Sequence, residues 1–465
     1  MACNSSSCNS NCYKNDNVEQ SLHSPRPTDR SSSYTSSNGQ QNLCVKCKTN
    51  QPISATSGGR GGGGDDTRFC GDCFRSNLYG KFRLAVTSHA MVTPSDNVLV
   101  AFSGGPASRV LLQFVNEMQR RAQKNFDASK DRSLPVFGIG VAFIDESAVY
   151  PVPSEKFDEG IREMKLVVSN LALPTKKLHV VPIENIYTSD SIDGKDKLAK
   201  ILNAVTDPTG KEDLLLHLRT LALQKIASEN GYSRLVLGSC MSRIACHVLT
   251  ETVKGKGYSL SADIQYVDAR WDIPVVLPLR DCTAQELNLL CRLDGLKNLQ
   301  LLNSPPPSIN SLVSSFVSLL QEDNPSRECT IVRTAGKLTP FHFNRIPEIN
   351  DSNVPLATRR RQKRYNLKPV ESISSESFCP ICNSPLNVTD LLSLSSPKNS
   401  TSSRFHATCC SSCRFQILPK DVSLMEHFYS SLPQQLVARA KNDRNFSLLR
   451  EQIQDCLLSD NEDES

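Results

Sequence analysis

The chain has 465 residues, enough for about three units of ordinary size with one sizeable α/β core among them. Lys and Arg number 53 against 48 Asp and Glu, and the resulting +5 is too mild to mark a nucleic-acid binder by charge alone. Apolar residues make up only 38%, so part of the chain is expected to stay unpacked, and with no run of about 18 apolar residues a membrane-spanning helix is excluded.

Residues 1–40 hold eleven serines and two large aliphatic side chains, Val18 and Leu22. Such a segment cannot offset its ordering entropy by burial and is expected to be disordered. It has no charged start followed by an apolar stretch, so it does not read as a secretory signal. A reducing, cytoplasmic compartment follows as the expectation, where paired thiols more often mean metal than disulfide. Cys3, Cys8 and Cys12 lie here with loose spacing.

A cysteine-paired module is expected over 41–80, split by the flexible run 57–64 (SGGRGGGG). An α/β stretch follows over 81–345. The run 97–102 (NVLVAF) reads as a buried strand and stops at Ser103, Gly104 and Gly105. A helix takes over, with Val110, Leu111, Phe114, Val115 and Met118 on one face. Residues 134–144 (LPVFGIGVAFI) read as a second strand ending at Asp145 and Glu146, and 179–183 as a third. An amphipathic helix over 213–230 closes at Gly231, placed as a left-handed cap. Strands over 234–238 (RLVLG) and 274–279 (PVVLPL) complete an alternation that predicts a parallel sheet covered on both faces. Residues 346–376 read as a basic linker carrying Arg359, Arg360, Arg361, Lys363 and Arg364. A second cysteine module is expected over 377–420, interrupted by a Ser-rich insertion at 393–403, before a helical tail over 421–465 with an acidic end.

The two cysteine groups are Cys44, Cys47, Cys70 and Cys73, then Cys379, Cys382, Cys410 and Cys413. Two residues between cysteines let a tight knuckle aim both sulfurs at one cation, and two knuckles complete a tetrahedral four-thiolate site suited to structural zinc. Reduced loop thiols are the alternative. Cys409 competes with Cys410, which restores the two-residue gap. The Ser-Gly-Gly turn lets backbone N–H groups approach an anion at a helix N-terminus, with Ser103 and Ser108 as donors; its plainer reading is a tight strand–helix connection. Lys254, Lys256 and Arg270, and the 359–364 run with Tyr365, are candidates for an RNA surface or, equally, solvated cations. His89, His217 and His247 show no ligand or triad spacing. Trp271 reads as core.

The segment NVLVAFSGGPAS (97–108) resembles the pyrophosphate loop of the ATP-pyrophosphatase superfamily, whose usual form is Ser-Gly-Gly-x-Asp-Ser. Pro278, Leu279, Arg280 and Asp281 with Glu286 resemble the Pro-Leu-Arg…Glu element of its tRNA-thiolating branch. FCGDCFRSNLYGKFR (69–83) resembles the N-terminal zinc module of that branch. The resemblance implies an adenine-nucleotide α-hydrolase-like core flanked by two four-cysteine zinc modules. It further implies adenylation of uridine C2 by ATP and Mg²⁺, sulfur from a ubiquitin-related modifier thiocarboxylate, and wobble uridine (U34) of cytosolic Lys, Glu and Gln tRNAs as target. The partner it implies is a paralogous catalytic subunit, with no membrane involved.

Three departures bear on activity. Ala107 stands where the family has Asp. The stretch Leu214, Leu215, Leu216, His217, Leu218 and Arg219 lacks the Cys-x-x-Cys of catalytic thiolases. Gly238, Ser239, Cys240, Met241, Ser242 and Arg243 replace the family's Gly-His-Asn-x-Asp-Asp. Cys240 and Cys246 remain near that strand end, as site thiols or ordinary buried ones. No residue is assigned a catalytic role, and Ser103, Gly104, Gly105 and Ser108 are kept as a weak phosphate loop. The expectation is a catalytically degenerate subunit. The rivals are a self-sufficient ATP-dependent tRNA sulfurtransferase and a zinc scaffold unrelated to RNA.

Overall fold

The computed structural model describes residues 43–53, 68–129, 135–150, 152–171, 174–187, 193–299, 307–324, 326–346, 372–373, 377–387, 390 and 400–441. The serine-rich start with Cys3, Cys8 and Cys12, the glycine run 57–64, the basic run 359–364 and the acidic end lie outside the described residues.

Six strands form one sheet: β1 (Asn97–Ala101), β2 (Gly138–Asp145), β3 (Lys177–Pro182), β4 (Arg234–Val236), β5 (Val267–Asp268) and β6 (Val275–Val276). Their spatial order is β3-β2-β1-β4-β6-β5. All neighbours pair in parallel except β5, which runs antiparallel to β6 at the edge. The expected fifth strand over 274–279 shrinks to the two residues of β6, because Pro274 and Pro278 have no N–H to give a ladder. β5 escapes a sequence reading because two residues show no alternation.

The helices that cover the sheet begin with α1 (Gly71–Ser88), α2 (Pro106–Ala128), α3 (Ser154–Ser169), α4 (Gly194–Ala204), α5 (Pro208–Glu229) and α6 (Met241–Val253). They continue with α7 (Ala284–Leu293), α8 (Ile309–Asp323), α9 (Arg327–Ala335), α10 (Thr401–Thr408), α11 (Ser411–Gln416) and α12 (Val422–Ser430). Period-two alternation in β1 divides the core between two faces. Val98 and Val100 pack with Phe74, Leu78 and Phe82 of α1 and with Val110, Leu111, Phe114 and Val115 of α2. Met118, expected on that same face, is only partly buried. Leu99 points the other way, toward Leu214, Leu218 and Leu221 of α5.

The second cysteine group belongs to that same face: Cys379, Ile381, Cys410 and Cys413 share a core with α5. α5 starts five residues earlier than the expected helix, at a proline after Asp207, whose carboxylate accepts from the Gly210 N–H at 2.7 Å. It ends at Gly231, where φ is +68°. Sheet order reverses between β1 and β4, and open α/β sheets place their ligand crevice beyond the carboxyl ends of strands at such a point. Among the described residues no helix is long and apolar enough to cross a membrane.

Candidate functional site: a covered pyrophosphate loop between two thiolate centres

The turn after β1 stands at the switch point, with the exit of β4 pressed against it. A Cβ at Gly238 would lie 3.1 Å from the Ser108 nitrogen, so the absence of a side chain there lets the two strand ends meet. Gly104 adopts φ of +81°, a conformation glycine takes without cost. Its carbonyl accepts from the Leu299 N–H at 2.8 Å, and a Cβ there would sit 2.1 Å from the Leu299 carbonyl oxygen. The chain over 296–299, which follows α7, therefore lies directly on the loop. The α7 residue Cys291 adds a thiol contact to the Pro106 carbonyl at 3.7 Å. The two loop serines face each other: Ser103 Oγ donates to Ser108 Oγ at 3.3 Å, and Ser108 Oγ donates to the Gly105 carbonyl at 2.9 Å. Ala107 brings no carboxylate to hold Mg²⁺.

The other candidate groups are committed to structure. Glu146, just past β2, is 2% exposed and takes both Nε and Nη2 of Arg219, the latter at 2.9 Å. Burial disfavours the Arg219 charge, but the Glu146 carboxylate outweighs it and holds the guanidinium above its usual range. Asp145 Oδ1 accepts from the Ser147 N–H at 2.8 Å. Leu214, Leu215 and Leu218 are core residues at the place of the missing Cys-x-x-Cys.

Cys240 caps α6 at 5% exposure, and burial pushes its thiol up. Burial raises Cys246 and Cys282 in the same sense. A protonated, buried thiol is a poor nucleophile. Arg280 donates to the Ile264 carbonyl at 2.5 Å and lies 4.5 Å from the Tyr266 ring centroid, while the Tyr266 hydroxyl donates to Asp281 at 2.8 Å. Glu286 closes a capping box with Thr283 on α7 and pairs with Lys81 of α1 at 2.5 Å.

The cations proposed for an RNA surface are a correction. The side chains of Lys254, Lys256 and Arg270 are 2%, 7% and 5% exposed. Lys254 Nζ lies 2.7 Å from both Asp213 and Glu251, and Lys256 lies 3.1 Å from Glu251. Arg270 is held by Asp263 and Asp268 and donates to the Asn383 carbonyl at 3.0 Å. They are interior ion pairs, unable to meet a phosphate. His247, without a triad spacing, pairs with Asp263 at 3.3 Å. Trp271 is partly buried against the core, with Arg439 over its ring.

The thiolate groups assemble as their spacing requires. In each set the four sulfurs lie within 4.8 Å of one another. Cys47 and Cys70 are 3.8 Å apart, and Cys382 and Cys410 are 3.7 Å apart. A tetrahedral zinc with sulfur at about 2.3 Å has an S···S edge of about 3.8 Å, so both donor sets fit the ion. Cys409 stands outside the four as a neighbour: its thiol lies 3.4 Å from the Phe405 carbonyl and shares a hydrogen bond with Cys379.

Both leading knuckles turn on a left-handed residue directly after the second cysteine: Lys48 at φ +57° and Asn383 at φ +56°. Their N–H groups return to the Cys44 and Cys379 carbonyls at 2.9 and 2.8 Å. The sequence reading passed over both, although Asn383 carries the signal, since asparagine tolerates that conformation. Hydrogen bonds from the Thr49 side chain and the Asn50 backbone hold the Cys47 thiol down at about 5. Burial works against the Lys256 charge, but the thiolates, Cys382 foremost, and Glu251 hold it well above its usual range.

A mainly parallel sheet with a Ser-Gly-Gly turn at its switch point, accompanied by two four-cysteine groups, defines an α/β protein with two sites able to hold a metal ion. Residues 308–456 match the family model described as cytoplasmic tRNA 2-thiolation protein 2. The protein of that description from Arabidopsis thaliana is 58% identical over 468 residues, covering 100% of both chains. The one from Oryza sativa subsp. indica is 50% identical, covering 90% of each. Among solved structures the chain is similar to the U34-tRNA thiolase NcsA from Methanococcus maripaludis, with 17% identity and a TM-score of 0.45 over 64% of this chain and 88% of that one. The chain belongs to the cytoplasmic tRNA 2-thiolation protein 2 family, and its role is in tRNA 2-thiolation.

Proposed function

We propose that this chain is the non-catalytic, tRNA-holding subunit of a cytoplasmic thiolase that converts wobble uridine U34 of tRNA Lys, Glu and Gln to its 2-thio form. Its partner is the paralogous catalytic subunit, cytoplasmic tRNA 2-thiolation protein 1, and sulfur arrives as the thiocarboxylate of a ubiquitin-related modifier. ATP and Mg²⁺ act at the partner. The observation that carries this reading is the covered loop: Leu299 is bonded to Gly104 where a pyrophosphate would approach, and Ala107 leaves the metal ion no carboxylate. The buried, protonated Cys240 and the leucines at the place of the Cys-x-x-Cys support the same division of labour. The eight cysteines Cys44, Cys47, Cys70, Cys73, Cys379, Cys382, Cys410 and Cys413 then serve as ligands of two structural zinc ions.

The test is a thiolation assay with each subunit alone and both together, reading 2-thiouridine at position 34 by mass spectrometry. The expected result is product only from the pair. Robust thiolation by this chain alone, with ATP and a sulfur donor, would restore the self-sufficient enzyme.

A further inference from the structure

The C-terminal module holds a cavity that its thiolate site does not use. It measures about 370 Å³ and is lined by Ser402, Ser403, His406, Lys420, Val422 and Met425, with Pro419 and Asp421 completing the wall. That volume lies within the range of small-ligand pockets. Its wall offers hydroxyls, an imidazole and an ammonium together with apolar side chains, chemistry suited to both the polar and the apolar parts of a nucleotide. The single carboxylate in the wall is turned to other work: Asp421 caps α12, accepting from the Ser423 and Leu424 N–H groups at 2.9 and 3.1 Å.

Beside the cavity stands an aromatic ring that the fold does not bury. Phe415 is 73% exposed, although the residues just after it, Ile417 and Leu418, are 2% and 4% exposed. It sits on α11, which Cys410 caps and which contains Cys413, so the four-cysteine group fixes where the ring stands. Lys420 Nζ lies 5.3 Å from the Phe415 ring centroid and also lines the cavity, joining the two features. An exposed ring with an adjoining cation is the arrangement on which unpaired bases stack while the cation meets the backbone.

We propose that Phe415 and this cavity hold one unpaired nucleotide of an RNA, its base stacked on the ring and its phosphate drawn to Lys420. The proposal rests on the reading that this chain holds tRNA. Stacking favours a splayed, single-stranded nucleotide over a duplex, whose bases are already stacked. A free mononucleotide offers the same chemistry and is separated by experiment.

The test measures tRNA affinity of the full chain with its partner subunit for Phe415→Ala, Phe415→Trp and Lys420→Gln over a series of salt concentrations. Zinc content and melting temperature serve as the check on folding, and Phe415, being exposed, is removed without opening the core. Phe415→Ala is expected to weaken binding roughly tenfold, with the salt dependence kept. Phe415→Trp keeps the affinity, and its added emission is quenched by tRNA. Lys420→Gln lowers the salt slope by about one. If Phe415→Ala binds tRNA as the wild type does, the nucleotide site is wrong while the tRNA-holding role stands. If the wild-type pair does not bind tRNA, both fall. If AMP quenches Phe415→Trp and bound tRNA does not, the cavity belongs to a free nucleotide and the RNA proposal is overturned.

Discussion

Lys254 decides more than its place in a glycine-rich turn suggests. Its ammonium is the shared partner of Asp213 and Glu251, which are 4% and 5% exposed. Burial pushes both carboxyls up, but the Lys254 and Lys256 charges outweigh it and hold both below their usual values. A carboxyl lowered in the folded state adds stability above its unfolded value, near 4, and that contribution is lost as pH falls through the lower folded value. Lys254→Met leaves the buried Asp213 without its paired cation, with only the Asn310 amide donating to it at 3.0 Å, so unfolding by urea at pH 7 should show a loss of about 3 kcal/mol. The loss should shrink as pH drops below about 4. An equal loss at both ends of that range would show that packing, not charge, holds the site. From sequence Lys254 looked like a solvent or RNA contact because its partner Asp213 on α5 lies 41 residues away in the chain. The cysteine pairs were legible for the opposite reason: a two-residue gap is itself the local geometry of a knuckle.

At the scale of elements, the strand–turn–helix order around Ser103 follows from local pattern, with an apolar run, paired glycines and a proline in the first helical turn. What lies on top of the turn does not, since residues 296–299 reach Gly104 across almost two hundred residues of chain. Gly104→Ala tests this contact directly. The added methyl must displace the Leu299 carbonyl, break the 2.8 Å bond from the Leu299 N–H and hold alanine at a φ suited to glycine. The expected cost is about 2 kcal/mol, and hydrogen exchange at the Leu299 amide should rise well above that of β1 amides. An unchanged exchange rate would mean that 296–299 is held by its other contacts. A nucleotide approaching the loop must displace the same segment, which is why covering this turn and the lack of a carboxylate at Ala107 argue together for chemistry at the partner.

For the whole molecule, the two four-cysteine groups are not equivalent, although each is built from two Cys-x-x-Cys pairs. The first has Cys44 and Cys70 buried and Cys47 and Cys73 half-buried; in the second all four cysteines are buried. Helix α1 hangs from the first centre, yet Phe74, Leu78 and Phe82, each fully buried, hold it to the sheet independently, at about 1.5–3 kcal/mol per side chain. The second centre stands inside the core shared with α5, and its thiolates balance the buried Lys256. A bound zinc therefore closes the main core at one end and only a peripheral knuckle at the other. Elemental analysis should find two zinc ions per chain. Cys47→Ser should lose one ion and keep a cooperative melt within a few degrees of wild type. Cys382→Ser should lose the other ion and, because that group lies inside the core shared with α5, fail to give a cooperative melt at all. Equal melting losses in the two variants would place both centres on the same footing and make the burial of the second one energetically idle.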